Sequence, residues 1–180
     1  PGQGEAVVRT LRVGIDGTDH EILAGEHGGF PEGDDHLVIG HEAVGVVEDA
    51  NGTAFSAGDV VVPTVRRPPN GTNEYFERGE PDVAPPGAYH ERGIEGAHGY
   101  AAEYFTSPEQ FLVEIPAGLA PLGFLVEPIS ISEKALELAH SSRSTFDWQP
   151  ESVLVLGNGS LGLQTLAMLA DSVDRLYCLG

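Results

Sequence analysis

Ser152-Val153-Leu154-Val155-Leu156-Gly157-Asn158-Gly159-Ser160-Leu161-Gly162 is the stretch on which the fold turns. From Val153 to Leu156 it is continuously apolar and short, as a strand buried on both faces would be. Gly157, Gly159 and Gly162 follow at once, and Leu163 to Ala170 has the composition of a helix. Glycines at this spacing say little in isolation; placed between a strand and a helix they have a mechanism. Gly157 permits a tight turn, Gly159 lets backbone come close to a pyrophosphate, and Gly162 lets helix and strand pack closely. The helix start then offers free N–H groups and a positive dipole end to phosphate. A glycine-rich turn without a ligand is the plainer alternative.

Working outward, Asp174 to Gly180 begins a second strand and completes a β-α-β unit. One such unit cannot form a doubly wound sheet, so the sequence is expected to be truncated at its C-terminus. An NAD site usually places Asp or Glu at the end of the second strand, to bind the ribose hydroxyls. Cys178-Leu179-Gly180 offers no acid, which favours NADP with NAD as the second choice. Before the strand, Ser141 to Pro150 is polar and reads as a connector. Ile131, Ala135, Leu138 and Ala139 lie on one helical stripe, with Ser130 or Ser132 as the cap. The change of character near Pro128 divides the chain into residues 1–128 and 129–180.

The first part reads as short strands and turns over residues 5–60. Glu5 to Ile15 alternates and is β-branched enough for a strand. Leu37-Val38-Ile39 and Ala43 to Val47 read as two more, and Gly58-Asp59 as a turn into Val60-Val61-Val62. Residues 63–99 are rich in Pro, Gly and charge without clear periodicity, which marks a functional or mobile stretch. Tyr100 to Ile115 reads as a strand pair closed by Pro116.

The formal net charge is −19, and Lys134 is the only lysine. Nucleic acid is excluded as a partner, because binding it needs many Lys and Arg contacts to phosphate. The acids are dispersed, as in Glu5, Asp16, Glu48, Asp82 and Asp171, rather than gathered in a tail. Such a surface suits folding in concentrated salt, where self-repulsion is screened. No apolar run is long enough for a membrane span, and the first residues lack the pattern of a secretory signal, so a cytoplasmic location is expected. Cys178 is the single cysteine, so any metal must be held by His, Asp and Glu.

Asp16-Gly17-Thr18-Asp19-His20, Gly40-His41-Glu42 and the later Glu127-Pro128 supply such groups. Carboxylate oxygens with one imidazole can bind zinc, and a catalytic site needs three protein ligands and an open position. Each piece also has a plainer reading: Asp-Gly as a turn, and His beside Glu as a solvated or capping pair.

Gly40-His41-Glu42-Ala43-Val44-Gly45, Gly58-Asp59-Val60-Val61, Glu127-Pro128 and the glycine motif occur in an order that resembles the medium-chain zinc alcohol dehydrogenase superfamily. The pattern departs near Asn51, where a small residue is expected five positions after Gly45; Gly52 follows one place later. Asp16 stands where most of the superfamily has cysteine. With the stretches 63–69, 71–78 and 91–94 this resembles the glucose dehydrogenases of halophilic archaea. The resemblance implies an α/β chain: a GroES-like, irregular, mostly antiparallel β domain over residues 1–128, then a Rossmann domain that begins at 129 and is truncated. It implies oxidation of the C1 hydroxyl of glucose or a similar aldose, with hydride passing to NADP. Asp16, His41, Glu42 and Glu127 would be the zinc ligands, with Glu42 and Glu127 completing or exchanging in the shell. Thr18 would hydrogen-bond the reacting hydroxyl, and Glu91 and Glu127 the sugar hydroxyls. Asn158, Ser160 and Leu161, among the three glycines, would contact cofactor phosphates. The superfamily's structural zinc needs cysteines where residues 66–98 have none, so one catalytic zinc and no structural zinc is expected. The whole protein would be a homo-oligomer, dimer or tetramer. Glu91 has a plainer reading as an ion-pair partner of Arg92 or Arg78, and His90 and His98 as loop histidines. A zinc polyol or alcohol dehydrogenase without need of Glu91, a zinc-free quinone reductase and a non-catalytic β module are the alternatives.

Overall fold

The computed structural model describes residues 1–146 and 149–180. The chain forms two compact units, Pro1–Leu125 and Val126–Gly180.

The first unit contains β1 (Glu5–Gly14), α1 (Gly17–Ala24), β2 (Glu42–Asp49), β3 (Val60–Pro63), β4 (Arg66–Arg67), α2 (Glu74–Glu77), β5 (His90–Arg92), β6 (Gly96–Ala97), β7 (Tyr104–Pro108) and β8 (Leu112–Glu114), then a 3₁₀ segment over Ala117–Leu125. Its main sheet is antiparallel and five-stranded, in the order β7-β1-β2-β3-β8. In β1, Ala6 and Val8 are buried while Arg9 and Leu11 are exposed, the alternation of a sheet with one covered face. Against β2 the register shifts between Thr10 and Arg12, a bulge that leaves Leu11 without a partner.

β2 reads as an unbroken apolar run because both of its faces are covered. Ala43 and Val47 join Ala6, Val8, Val61, Tyr100 and Phe105 on one side. Val44 packs with Val60 and Val62 on the other, against Ile115, Ala120 and Phe124. Each fully buried valine contributes roughly 1.5–3 kcal/mol relative to exposure.

Three expectations for this unit are corrected. Residues 16–24 are not a turn but carry α1, a helix without an apolar stripe to announce it. Leu37-Val38-Ile39 is not a strand; it is tied instead to the chain at Gly99–Ala101, through Gly99 N–H to Val38 O at 2.6 Å and Ala101 N–H to Ile39 O at 3.1 Å. β7 and β8 do exist between Tyr100 and Ile115, yet they do not pair with each other. They pair with β1 and β3 and form opposite edges of the sheet.

Residues 63–99 hold short elements, including the small sheet β4-β5-β6. Arginines organise this lobe. Arg67 lies 4.1 Å above the Phe111 ring and donates to Tyr100 Oη, and Arg92 lies over Tyr100 at 4.8 Å. Burial lowers the Arg67 guanidinium to about 10.

The second unit contains α3 (Val126–Ser142), β9 (Ser152–Leu156), α4 (Ser160–Leu169) and β10 (Arg175–Leu179). β9 and β10 are parallel, from Ser152 opposite Arg175 to Leu156 opposite Leu179. The β-α-β unit read from the glycine motif is therefore formed. The helix before it begins earlier than its stripe suggests. Ser130 and Ser132 lie inside α3 and cap nothing: Ser130 Oγ donates to Glu127 O, and buried Ser132 bonds Thr165 Oγ of α4 at 2.8 Å. Pro128 is tolerated because the first turn of a helix has no partner for its N–H groups. The connector read over Ser141–Pro150 starts inside the end of α3, and its Asp147 and Trp148 lie outside the described residues.

Candidate metal and cofactor sites

Asp16 is the N-cap of α1, in extended conformation at φ −123 and ψ −166. Its Oδ1 accepts from Asp19 N–H at 3.2 Å while Asp19 Oδ2 accepts from Asp16 N–H at 3.1 Å. This is a capping box built from two aspartates, and Gly25 closes the helix in the left-handed region. An acid three residues after an acid, with a glycine past the end, was the legible signal for α1. Asp19 is fully buried, and its Oδ1 also accepts from Gly40 N–H at 3.1 Å. It therefore joins the start of α1 to the corner that carries His41.

That corner is set by glycines. Gly40 and Gly93 have φ of 88° and 83°, where other residues are strained. A β-carbon on Gly99 would sit 2.6 Å from both Gly93 Cα and Ile39 O, and closer still to Gly40 O. No side chain can stand between these three segments, so the backbone entering β2 is held firmly.

Asp16, His41 and Glu42 converge here, with one ligand atom of each lying within 4.8 Å of the others. His41 Nε2 is 3.8 Å from Asp16 Oδ2. Among the described residues His41 Nδ1 is buried without a hydrogen-bond partner, and Asp19 Oδ2 lies 4.0 Å away, too far for a bond. The ring therefore turns its Nε2 edge towards Asp16 and its Nδ1 edge towards Asp19. Glu42 packs directly over Gly14, where any β-carbon would overlap its carboxylate. Burial raises its carboxyl to about 7, helped by the charges of Asp16 and then Asp19.

These residues fit zinc. Ligands at zinc's usual distances stand about 3.3 Å apart along a tetrahedral edge, so a small contraction of the triad suffices. Three ligands leave a fourth position open, and a cation relieves the crowding of Asp16, Asp19 and Glu42.

A pH dependence follows for the metal-free protein. Unfolded, Glu42 returns to its ordinary 4.5, so the fold holds that proton more tightly than the unfolded chain does. Its contribution is full below the unfolded value and is lost as pH rises through about 7. In a chelator, the stability difference between parent and Glu42→Gln should therefore shift by a few kcal/mol, at most about 3, between acid and mildly alkaline buffer. Denaturant titrations across that range check this, and a pH-independent difference would remove the assignment.

Thr18 is in the first turn of α1 and its Oγ donates to Asp16 Oδ2 at 3.1 Å. Glu127 lies in the first turn of α3, in the second unit, and is half-buried. Glu91 is on β5, and its ion-pair partner is neither Arg92 nor Arg78 but Arg66, at 3.0 Å. Arg92 serves His98 O and Thr106 O, while Arg78 meets Glu74 and Glu80. His98 accepts from Val38 N–H and bonds Asp34, as a loop histidine does. Sequence reasoning missed Asp19 and Arg66. For Asp19 the capping spacing was available, whereas Arg66 had no local signal.

In the second unit, Gly157 turns at φ 111° between β9 and α4. Gly162 lies so close to Gly157 O that a β-carbon would overlap it. Around Gly159, the N-cap of α4, a β-carbon would meet nothing within 4 Å. Gly157 is thus needed for its backbone conformation and Gly162 for packing, while Gly159 leaves open space at a helix start.

The chain matches the alcohol dehydrogenase GroES-like domain over residues 2–117 and the glucose dehydrogenase C-terminus over residues 120–180. It is 70% identical to glucose 1-dehydrogenase of Haloferax mediterranei, covering 100% of this chain and 52% of that protein. It is 67% identical to glucose 1-dehydrogenase of Haloarcula marismortui, covering 100% and 51%. The solved Haloferax mediterranei glucose dehydrogenase in complex with NADP, Zn and gluconolactone superposes with a TM-score of 0.97, at 70% identity over 100% of this chain and 52% of that one. Galactitol-1-phosphate dehydrogenase from Escherichia coli, at 20% identity and a TM-score of 0.80 over 99% and 49%, shares the fold alone. The chain spans about half the length of the curated relatives it matches. Among the described residues, no helix is long and apolar enough to cross a membrane.

Proposed function

The chain belongs to the alcohol dehydrogenase family that carries a GroES-like domain, and from that premise we propose that it works within a zinc-dependent glucose 1-dehydrogenase. The reaction is oxidation of the C1 hydroxyl of glucose or a similar aldose to the lactone, with hydride delivered to NADP. The observation that carries this reading is the convergence of Asp16, His41 and Glu42 within 4.8 Å around a buried imidazole. Residues 1–128 act as the catalytic domain and residues 129–180 open the cofactor domain.

Zinc would be held by Asp16, His41 and Glu42, with Glu127 completing or exchanging in the shell. When bound, it supplies Lewis acidity that lowers the pKa of a hydroxyl placed beside it. The Asp19 carboxylate, 4.0 Å from His41 Nδ1, would favour the tautomer that leaves Nε2 for the metal. Thr18 donates its own hydrogen bond to Asp16, which leaves its lone pairs to accept a hydrogen bond from the C1 hydroxyl. Glu91 and Glu127 accept hydrogen bonds from other sugar hydroxyls, and a carboxylate can take several at once. NADP phosphates lie at Gly157, Asn158, Gly159, Ser160, Leu161 and Gly162, on the N-terminus of α4. Cys178-Leu179-Gly180 at the end of β10 places no carboxylate against a 2′-phosphate, so NADP is preferred over NAD. The intact protein is proposed to be a cytoplasmic homo-oligomer adapted to high salt.

The test is a substrate and cofactor screen on the intact protein in molar KCl, with and without a chelator. Chelator-sensitive reduction of NADP by glucose is expected. Activity confined to simple alcohols or polyols would keep the metal chemistry and refute the sugar. No activity with any hydroxyl substrate would overturn the whole reading.

A further inference from the structure

We propose that Arg66 is a positioning residue for sugar specificity, holding Glu91 so that one carboxylate oxygen is anchored and the other is presented to substrate hydroxyls. This rests on the reading of Glu91 as a sugar-binding group.

Arg66 and Glu91 face each other across the β4–β5 pairing. Arg66 Nε donates to Glu91 Oε1 at 3.0 Å. The guanidinium is itself held elsewhere. It donates through Nη1 to Pro81 O and Asp82 O, both at 2.9 Å, and its plane lies 4.0 Å over the Tyr89 ring. A planar, rigid fork with this many contacts acts as a fixed anchor, which a flexible lysine could not be.

The contact is single. A bidentate pair would saturate both carboxylate oxygens, but here Oε2 accepts no hydrogen bond among the described residues. The Glu91 backbone is also fixed, since its O accepts from Ile94 N–H at 3.0 Å and Glu95 N–H at 2.8 Å. What freedom remains lies in the Glu91 side-chain torsions, and Arg66 removes it. Side-chain exposures of 27% for Arg66 and 21% for Glu91 leave the pair shielded yet reachable. An anchored acceptor distinguishes a sugar bearing the matching hydroxyl from one lacking it.

The experiment compares Arg66→Met, Arg66→Lys, Glu91→Gln and the Arg66→Met/Glu91→Gln double variant of the intact protein. The readouts are KM for glucose and NADP, kcat, discrimination against a panel of monodeoxyglucoses, and the unfolding midpoint. Arg66→Met should raise KM for glucose about tenfold and narrow the discrimination, with KM for NADP unchanged. Arg66→Lys should recover only part of the loss. In the Glu91→Gln background the Arg66 change should add nothing further. Unchanged discrimination with a lowered unfolding midpoint would make Arg66 only a brace of the lobe and overturn the proposal. A Glu91→Gln variant with unaltered KM and discrimination would instead remove the sugar reading of Glu91, and the role of Arg66 with it.

Discussion

His41→Ala should strip the intact protein of its bound zinc and lower glucose oxidation by more than about a hundredfold. That is the upper end for loss of a group that merely orients a metal ligand, and His41 is proposed as the ligand itself. It is also the only nitrogen donor in the converging set, between Asp16 and Glu42. Without it, only the two carboxylates of Asp16 and Glu42 would remain in the set, with Asp19 buried nearby. Bound zinc measured by elemental analysis after dialysis, together with kcat/KM, checks this. Undiminished zinc and activity would show that the metal is held elsewhere. Asp19→Asn is the companion variant: it keeps the side-chain shape but withdraws the charge near His41 and one of the two acceptors that serve Asp16 N–H and Gly40 N–H, so a smaller loss of zinc affinity is expected.

Gly99→Ala is expected to destabilise the protein by about 3 kcal/mol or more, the upper part of the range for overpacking. The added methyl would meet Gly40 O, Gly93 Cα and Ile39 O, all of them backbone, so no rotamer change can make room. The backbone bonds from Gly99 to Val38 and from Tyr100 to Gly40 would have to lengthen together. Because Gly40 precedes His41, zinc affinity should fall along with stability. Gly52→Ala is the control, since its β-carbon would meet nothing within 4 Å and only its positive φ of 86° is costly. Denaturant midpoints should rank parent, Gly52→Ala and Gly99→Ala in that order. Equal midpoints for the two variants would mean that backbone crowding at Gly99 does not hold the corner.

Where the relevant physics is local, the amino-acid order was enough. The apolar run before Gly157 and the helical stretch after Gly162 specify strand, turn and helix within a few residues of one another. The apolar residues from Ala43 to Val47 announced a strand, and the mixed donor set with one cysteine restricted any metal to oxygen and imidazole. The ligands that converge, Asp16, His41 and Glu42, stood in the sequence as Asp-Gly-x-Asp and Gly-His-Glu.

Other features depend on partners far away along the chain, and these only the tertiary structure decided. Nothing near Tyr104 or Leu112 states that their strands lie on opposite edges, because β-pairing is chosen by distant strands and not by the turn between neighbours. α1 lacks an apolar stripe, since its formation is settled at its ends by Asp16, Asp19 and Gly25 rather than along its face. Asp19 became part of the site through bonds to Gly40, and Arg66 through a pairing across β4 and β5. Composition, periodicity and short motifs therefore determined the elements and the kind of chemistry. Which oxygen faces which nitrogen was left to packing, where a few glycines allow backbones to meet and hold the acidic groups close together.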